Sequence, residues 1–131
     1  MAVLGFSMGG WAALNLAALE PSLRAVVAVA PAGGSELIGP GTRAFLASHA
    51  RLLNVAGPAA LFADLRRAVT DFDPGVAVSR LKAPLLLVHG DADRTIPVAV
   101  SRRLARLAAG PVRLVIEHGA AHDFLDRRGK L

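Results

Sequence analysis

The apolar residues of this chain form four short runs, broken only by Arg113 in the last, that are separated by longer stretches of helical character. The runs cover residues 2–4, 25–30, 84–88 and 112–116. Short apolar runs without polar alternation are typical of strands that are buried on both faces of a parallel sheet. We therefore predict an α/β fold with a four-stranded parallel sheet flanked by helices.

Helices are predicted between and after these strands. Residues 8–19 are apolar apart from Asn15, and a helix that is apolar all round belongs inside a layered fold. With the runs on either side of it, this helix makes a strand–helix–strand unit with a right-handed crossover. A further helix is expected after Pro97, and a short last one after Asp123, which is suited to cap it.

The long stretch between the second and third strands, about residues 33–80, is predicted to be a small helical cap. It interrupts a single domain that covers residues 1–131. A loop rich in glycine and proline comes first, and two amphipathic patterns follow. The positions that share a face are 45, 46, 52 and 53 in the first, together with His49, and, after a proline at 58, positions 61, 62, 65 and 69 in the second. Residues 71–75 break the second pattern.

Length and composition indicate one globular domain. The 131 residues are 53% hydrophobic and 19% charged, which excludes a disordered chain. The absence of cysteine excludes disulfide bonds, a thiolate nucleophile and cysteine-ligated metals, and it suits a reducing compartment. No apolar run is long enough to span a bilayer, and no signal peptide is visible. We therefore expect a cytoplasmic protein without a membrane partner.

The formal net charge of +5 does not by itself point to nucleic acid. The arginines are spread over several segments, and the chain contains one tryptophan, five phenylalanines and no tyrosine. Because single-stranded nucleic acids are bound by aromatic side chains beside a basic groove, this composition fits poorly. Solvated helix faces account better for the charges, so no nucleic-acid partner is expected.

A G-x-S-x-G motif, Gly5 to Gly9, lies where the first strand is predicted to turn into the first helix. Glycines at both positions are expected to remove Cβ atoms that would collide in so sharp a turn. Ser7 would then take a strained conformation with its hydroxyl projecting from the sheet. The backbone N–H of Met8, at the start of the helix, would point to where an oxyanion forms. The motif alone is modest evidence, and its position between strand and helix strengthens it.

Three of the predicted strands end in loops that carry Ser7, Asp93 and His122. Parallel strands end at one edge of the sheet, so these distant residues are expected to converge. A serine hydroxyl needs an imidazole to take its proton, and the imidazole needs a carboxylate to fix its tautomer. The order serine, aspartate, histidine is the one expected for hydrolases with this kind of turn.

Other residues compete for two of these roles. Asp91 competes with Asp93, but it directly follows a glycine and is suited to shape the turn. His118 and His89 compete with His122, but each lies at the end of a strand, where its side chain is expected to pack. We favour Asp93 and His122 and leave the alternatives open.

Three segments resemble landmarks of the α/β-hydrolase superfamily, most closely its serine aminopeptidase, esterase and dienelactone-hydrolase-like branches. They are GFSMGG at residues 5–10, HGDADRTIP at 89–97 and GAAHDF at 119–124. The resemblance implies Ser7 as nucleophile, Asp93 as the acid after the penultimate strand and His122 as the base after the last. It implies a serine hydrolase that cleaves an ester, thioester or amide through an acyl-enzyme, without a metal or a cofactor.

The insert lies where this superfamily places a cap or lid. We predict that cap residues line an apolar acyl pocket, namely Phe45, Leu46, Phe62 and Leu65. The chain departs from the superfamily pattern at its start, because complete members have several strands before the nucleophile strand. A loop after one of those strands normally supplies a second oxyanion donor, so we expect this chain to correspond to the C-terminal half of a hydrolase, with impaired activity.

The same departure suggests an alternative. The first strand would present an apolar edge, and such edges favour pairing with another chain. The alternative expectation is therefore a half-domain without catalysis, which associates with a second copy or with a missing N-terminal half through that edge.

Overall fold

The computed structural model describes residues 1–124, apart from the side chain of Glu36. Four parallel strands form one sheet in the order β1-β2-β3-β4. They are β1 (Ala2–Phe6), β2 (Ala25–Val29), β3 (Leu85–Gly90) and β4 (Val112–Glu117). The predicted four-stranded parallel sheet is confirmed. β3 runs two residues further than predicted, because its pairing with β4 continues to Gly90 opposite Glu117.

Five α-helices accompany the sheet in the described part of the chain. They are α1 (Met8–Leu19), α2 (Thr42–Ala50), α3 (Pro58–Asp71), α4 (Pro74–Arg80) and α5 (Ala99–Leu107). The bounds of α1 are those predicted, and α5 begins two residues after Pro97. The short helix predicted after Asp123 lies outside the described residues. Over residues 1–124, no helix combines the length and apolarity needed to cross a membrane.

Helix α4 was not predicted. Its sequence was interpreted only as a break in the preceding pattern, but it also starts a new helix. The carboxylate of Asp73 caps that helix by accepting a hydrogen bond of 2.6 Å from the N–H of Gly75, and Pro74 occupies the first helical position. α4 packs against α1 and α5, so these residues belong to the helical layer beside the sheet, although the prediction places them in the cap.

The helices α1, α4 and α5 cover one face of the sheet. Consecutive strands are neighbours, and right-handed crossovers in a constant direction place their connections on the same side. The core lies between these layers, where Leu14, Leu87 and Leu104 are fully buried. The opposite face is more open: Leu4 is 70% and Phe6 42% exposed. The expectation that the strands are buried on both faces is therefore wrong for the described part of the chain.

The cap consists of α2 and α3, which pack on each other over the carboxyl ends of the strands. The guanidinium of Arg43 lies 4.2 Å from the centre of the Phe62 ring, across the two helices. The end of α3 is tied to α1, since the carbonyl oxygen of Phe72 accepts hydrogen bonds from the side chains of Trp11 and Asn15. The cap is thereby held beside the turn at the start of α1.

Candidate active site

Ser7 lies in the turn between β1 and α1, with φ 54° and ψ −118°. A positive φ is unusual for a residue other than glycine, and it strains the backbone. Two hydrogen bonds hold the turn against the next strand: Ser7 N–H to the Val29 carbonyl (2.9 Å) and Ala32 N–H to the Ser7 carbonyl (3.1 Å). The strained serine at the strand end is the conformation that the motif predicts.

The two glycines of the motif differ in what they do. A Cβ atom on Gly5 would lie 2.0 Å from the carbonyl oxygen of Gly9, so no side chain fits there. A Cβ atom on Gly9 would have no neighbour within 4 Å among the described residues beyond its chain neighbours and its own helix backbone. The expectation that both glycines relieve a collision is correct for Gly5 and wrong for Gly9. The backbone of Gly9 is instead the group that lies against Gly5.

Asp93 lies in the loop after β3, with its side chain buried. One carboxylate oxygen, Oδ1, accepts hydrogen bonds of 2.8 Å from the backbone N–H groups of Thr95 and Ile96. Burial is the strongest influence on the Asp93 pKa and raises it. Hydrogen bonds from His122, Ile96 and Thr95 together outweigh burial and hold the pKa below its usual value. The carboxylate is therefore kept charged in the site.

His122, in the loop after β4, lies between the other two side chains. Its Nδ1 is 2.7 Å from Asp93 Oδ2, and its Nε2 is 3.0 Å from Ser7 Oγ. A charged carboxylate only accepts hydrogen bonds, so Nδ1 carries the proton in the neutral ring, and Nε2 accepts from the serine hydroxyl. The ring also lies against Phe6, with 5.1 Å between ring centres. The structure thus brings together the three residues that the sequence analysis favoured.

The competing residues Asp91 and His118 pair with each other, away from this chain of hydrogen bonds. Asp91 Oδ2 is 2.7 Å from His118 Nδ1, and Oδ1 accepts a 2.6 Å hydrogen bond from the N–H of Gly119. The Gly119 bond, followed by the His118 bond, lowers the pKa of Asp91. The His118 side chain is 92% exposed, which contradicts the expectation that it packs. This pair joins the loops that carry Asp93 and His122.

Gly90 permits that junction, and the sequence analysis did not recognise it. A Cβ atom at Gly90 would lie 2.1 Å from the carbonyl oxygen of Ala120. The two loops are also joined by backbone hydrogen bonds, from Asp91 N–H to the Glu117 carbonyl and from Ala92 N–H to the Ala120 carbonyl, both 3.1 Å. The sequence does offer a signal, because Gly90 directly follows His89 at the end of a strand. Glycine at such a position often indicates that another backbone segment lies close by.

A cavity of about 480 Å³ opens beside Ser7, beneath the cap. It is lined by Ser7, Met8, Ala32, Leu37, Thr42, Phe45, Leu46, Leu65, Thr95 and Ile96. The structure places three of the four cap residues that the sequence analysis named, Phe45, Leu46 and Leu65, on the wall. It does not place Phe62 there, because that ring is turned toward Arg43 on the neighbouring helix. Ile96 on the wall was not predicted.

The backbone N–H of Met8 lies in the first turn of α1, directly after Ser7. The first N–H groups of a helix have no partner within the helix and lie at the positive end of its dipole. The first N–H groups of α1 can therefore donate hydrogen bonds to an anion that lies next to Ser7. Among residues 1–124, no cluster of three or more histidine, aspartate and glutamate side chains is arranged to hold a metal ion.

Solved structures of α/β hydrolases share this arrangement of strands and helices. An alpha/beta hydrolase enzyme from the metagenome of lagoon sediments at Mar Chica, Morocco, matches 99% of this chain with a TM-score of 0.71 and 19% identity. Monoacylglycerol lipase from Paleococcus ferrophilus matches 92% of it with a TM-score of 0.66 and 21% identity. The chain therefore has part of the α/β-hydrolase fold. It spans 56% of the first protein and 59% of the second.

Similarity in sequence to curated proteins is confined to shorter segments. Over 47 residues, 35% of this chain, the sequence is 54% identical to a monoacylglycerol lipase of Mycolicibacterium smegmatis, and the match covers 17% of that protein. Over 68 residues, 49% of this chain, it is 35% identical to an uncharacterized protein of Mycobacterium tuberculosis, of which the match covers 24%. No protein-family model matches the chain.

Proposed function

We propose that this chain carries the nucleophile, base and acid of a serine hydrolase that cleaves an ester, thioester or amide. One observation carries the proposal: His122 lies within hydrogen-bond distance of both Ser7 Oγ (3.0 Å) and Asp93 Oδ2 (2.7 Å). Such an arrangement activates a serine hydroxyl, which is a poor nucleophile at neutral pH. The lipase and hydrolase enzymes among the similar proteins agree with this reaction class.

The geometry supports a two-step reaction. In the first step, Ser7 Oγ bonds to the carbonyl carbon while its proton moves to His122 Nε2. Asp93 stabilises the resulting imidazolium through the Nδ1–H hydrogen bond. The imidazolium then protonates the leaving oxygen, sulfur or nitrogen, and an acyl-enzyme remains on Ser7. In the second step, water gives one proton to His122 Nε2 and its oxygen bonds to the acyl carbon. The bond between that carbon and Ser7 Oγ then breaks, His122 returns the proton to Ser7 Oγ, and the carboxylic acid leaves.

The oxyanion of each tetrahedral intermediate needs hydrogen-bond donors, and Met8 N–H is the donor that this chain offers beside Ser7. Removing one such donor typically slows catalysis about a hundredfold to a thousandfold. The activity of this chain would therefore depend strongly on whether a second donor is provided.

The cavity wall favours an apolar acyl group. Three cap side chains on the wall, Phe45, Leu46 and Leu65, are apolar, and Ile96 lies on the wall below them. Burying a fatty or aromatic acyl chain against these residues would place its carbonyl next to Ser7. We propose such acyl substrates for the site.

The reaction class is tested with a fluorophosphonate probe, which labels activated serines. We expect labelling at Ser7 in the wild-type chain and none in Ser7→Ala. Ser79→Ala is the matched control, since Ser79 is exposed on α4, and its hydroxyl bonds only the Val76 carbonyl in the described structure. Folded wild-type protein without label, confirmed as folded by circular dichroism, would contradict the proposal.

The acyl pocket is tested with Leu46→Trp. The larger side chain would fill part of the cavity, so we expect kcat/KM to fall at least about tenfold for octanoyl esters relative to acetyl esters. Leu52→Trp is the control, because Leu52 is 74% exposed and does not line the cavity. Equal selectivity in the two variants would show that acyl chains do not bind there.

A second candidate function is association through β1, with a second copy of this chain as the partner. β1 is an edge strand of the described sheet, and Leu4 on it is 70% exposed. An unpaired edge with apolar side chains is a template for another strand, and a two-fold axis would pair two copies of β1 in antiparallel register.

Analytical ultracentrifugation over a range of concentrations tests this association. We expect a dimer in the wild-type chain that is weakened by Leu4→Lys, because charge on an edge strand opposes pairing. Leu19→Lys is the control, as Leu19 is equally exposed (76%) at the far end of α1. A monomer at all concentrations, with freely exchanging β1 amides, would exclude the association.

A further inference from the structure

His89, near the end of β3, is a buried polar side chain that the reaction described above does not use. It is fully buried on the face of the sheet that packs against α5. Its Nδ1 lies 2.7 Å from Ser101 Oγ on α5, and its Nε2 lies 2.9 Å from the carbonyl oxygen of Ile96. Ser101 is also fully buried. Burying such polar groups is costly, so their contacts require an explanation beyond packing.

The partners of the ring determine its tautomer. A carbonyl oxygen only accepts hydrogen bonds, so the proton of the neutral ring is on Nε2 and is donated to Ile96. Nδ1 then accepts from the hydroxyl of Ser101. Both nitrogens are thereby satisfied, and the ring is held in one orientation between the loop after β3 and helix α5.

The same nitrogen also lies near the candidate catalytic acid. It lies 3.3 Å from Asp93 Oδ2, the oxygen that is 2.7 Å from His122 Nδ1. The other oxygen of Asp93 is held by the N–H of Ile96, the residue whose carbonyl is bound by His89. His89 therefore touches one carboxylate oxygen, and through the Ile96 carbonyl it holds the residue whose N–H binds the other oxygen.

We propose that His89, oriented by Ser101, is a positioning residue that sets the direction of the Asp93 carboxylate toward His122. The inference rests on the proposed hydrolase function for its consequence in catalysis. Asp93 thus lies between the imidazoles of His89 and His122, and of these two only His122 contacts Ser7. Helix α5 contributes to the site through Ser101, although it supplies no residue to the cavity wall.

Two measurements test this role on the intact chain. The first is the rate of fluorophosphonate labelling at Ser7, which requires a well-directed base. The second is the proton NMR signal of His122 Nδ1–H, which a short hydrogen bond to a carboxylate moves to low field and which His122→Ala assigns by its loss. The NMR signal reports the position of Asp93 without any need for catalysis.

In His89→Leu, which removes both nitrogens, we expect the labelling rate to fall about tenfold to a hundredfold, as is common when a residue that orients a functional group is lost. The low-field signal should weaken or move upfield. His89→Gln retains an N–H donor near the Nε2 position, so it should recover part of the rate and of the signal. Ser101→Ala should lower the labelling rate and the NMR signal less than His89→Leu does.

Val100→Ala is the matched control. Val100 precedes Ser101 on α5 and is equally buried, but it has no polar contact with the site. This variant should lose thermal stability and keep both the labelling rate and the NMR signal. If His89→Leu does not fold, His89→Gln and Ser101→Ala decide the question.

The outcomes separate this inference from the proposed function. Wild-type chain that is not labelled contradicts the hydrolase proposal, and the NMR comparison then decides the positioning role. An Nδ1–H signal that is unchanged in folded His89 and Ser101 variants would overturn the role, as would a wild-type labelling rate in those variants. The positioning role would also be overturned if the labelling rate and the NMR signal fell only in proportion to the melting temperature, with Val100→Ala affected equally.

Discussion

Asp93→Asn is expected to slow the acylation of Ser7 about ten-thousandfold, the loss typical of removing the carboxylate from a serine–histidine–aspartate arrangement. The amide can donate to His122 Nδ1, which favours the tautomer with its proton on Nε2. The ring then presents a donor to Ser7 where it needs an acceptor. The measurement is the labelling rate with a fluorophosphonate, or the kcat for an activated ester.

Asp91→Asn is the matched control for that prediction. It removes a carboxylate two residues away, in the same loop, which also pairs with a histidine. That pair is exposed, so water screens it and it contributes little, and we expect the labelling rate to fall less than about tenfold. Similar losses in the two variants, with both chains folded, would mean that Asp93 has no special part in the reaction.

Gly5→Ala is expected to destabilise the chain by about 3 kcal/mol or more, at the upper end for overpacking. Its Cβ atom would lie 2.0 Å from the Gly9 carbonyl oxygen, and the obstacle is backbone that cannot rotate away. β1 or the first turn of α1 would have to shift. Thermal unfolding followed by circular dichroism measures the effect as a fall in melting temperature of roughly 10 °C or more.

Gly9→Ala is the control, because it shows whether the destabilisation comes from the collision at Gly5 or from the loss of any glycine in the motif. The added Cβ atom meets no described atom within 4 Å, and alanine is favoured over glycine in helices by up to about 1 kcal/mol. The melting temperature should therefore stay the same or rise. Equal destabilisation by the two substitutions would show that the open space beside Gly9 is not a property of the folded chain.

The sheet and α1 were predictable because their sequence signals are local. The apolar runs are short and flanked by proline, glycine or charged residues, so β2 and β4 were located within one residue of their observed ends. The parallel pairing of the first two strands then followed from the strand–helix–strand unit. The convergence of Ser7, Asp93 and His122 required only the rule that parallel strands end at one edge.

Features that depend on tertiary contacts were not predictable in the same way. Helix α4 is too short to show periodicity, and its stability comes from packing between α1 and α5. Phe62 shares a helical face with Leu65 in the sequence, but only the packing of α2 on α3 decides that it meets Arg43. The sequence predicts only that His89 packs at the end of its strand, because nothing in it indicates that the ring lies 3.3 Å from Asp93.

Asp91 bonds to Gly119 and His118, and these bonds join the loop of Asp93 to the loop of His122 but do not reach the turn of Ser7. His122 and Asp93 lie on loops that are joined to each other, whereas Ser7 belongs to the turn between β1 and α1. That turn meets His122 through the 3.0 Å contact of Ser7 and the ring of Phe6. If the two sides separate to admit a bulky substrate, we expect the hydrogen bond between Ser7 and His122 to break before the one between His122 and Asp93. The imidazole would then keep its orientation in the open form.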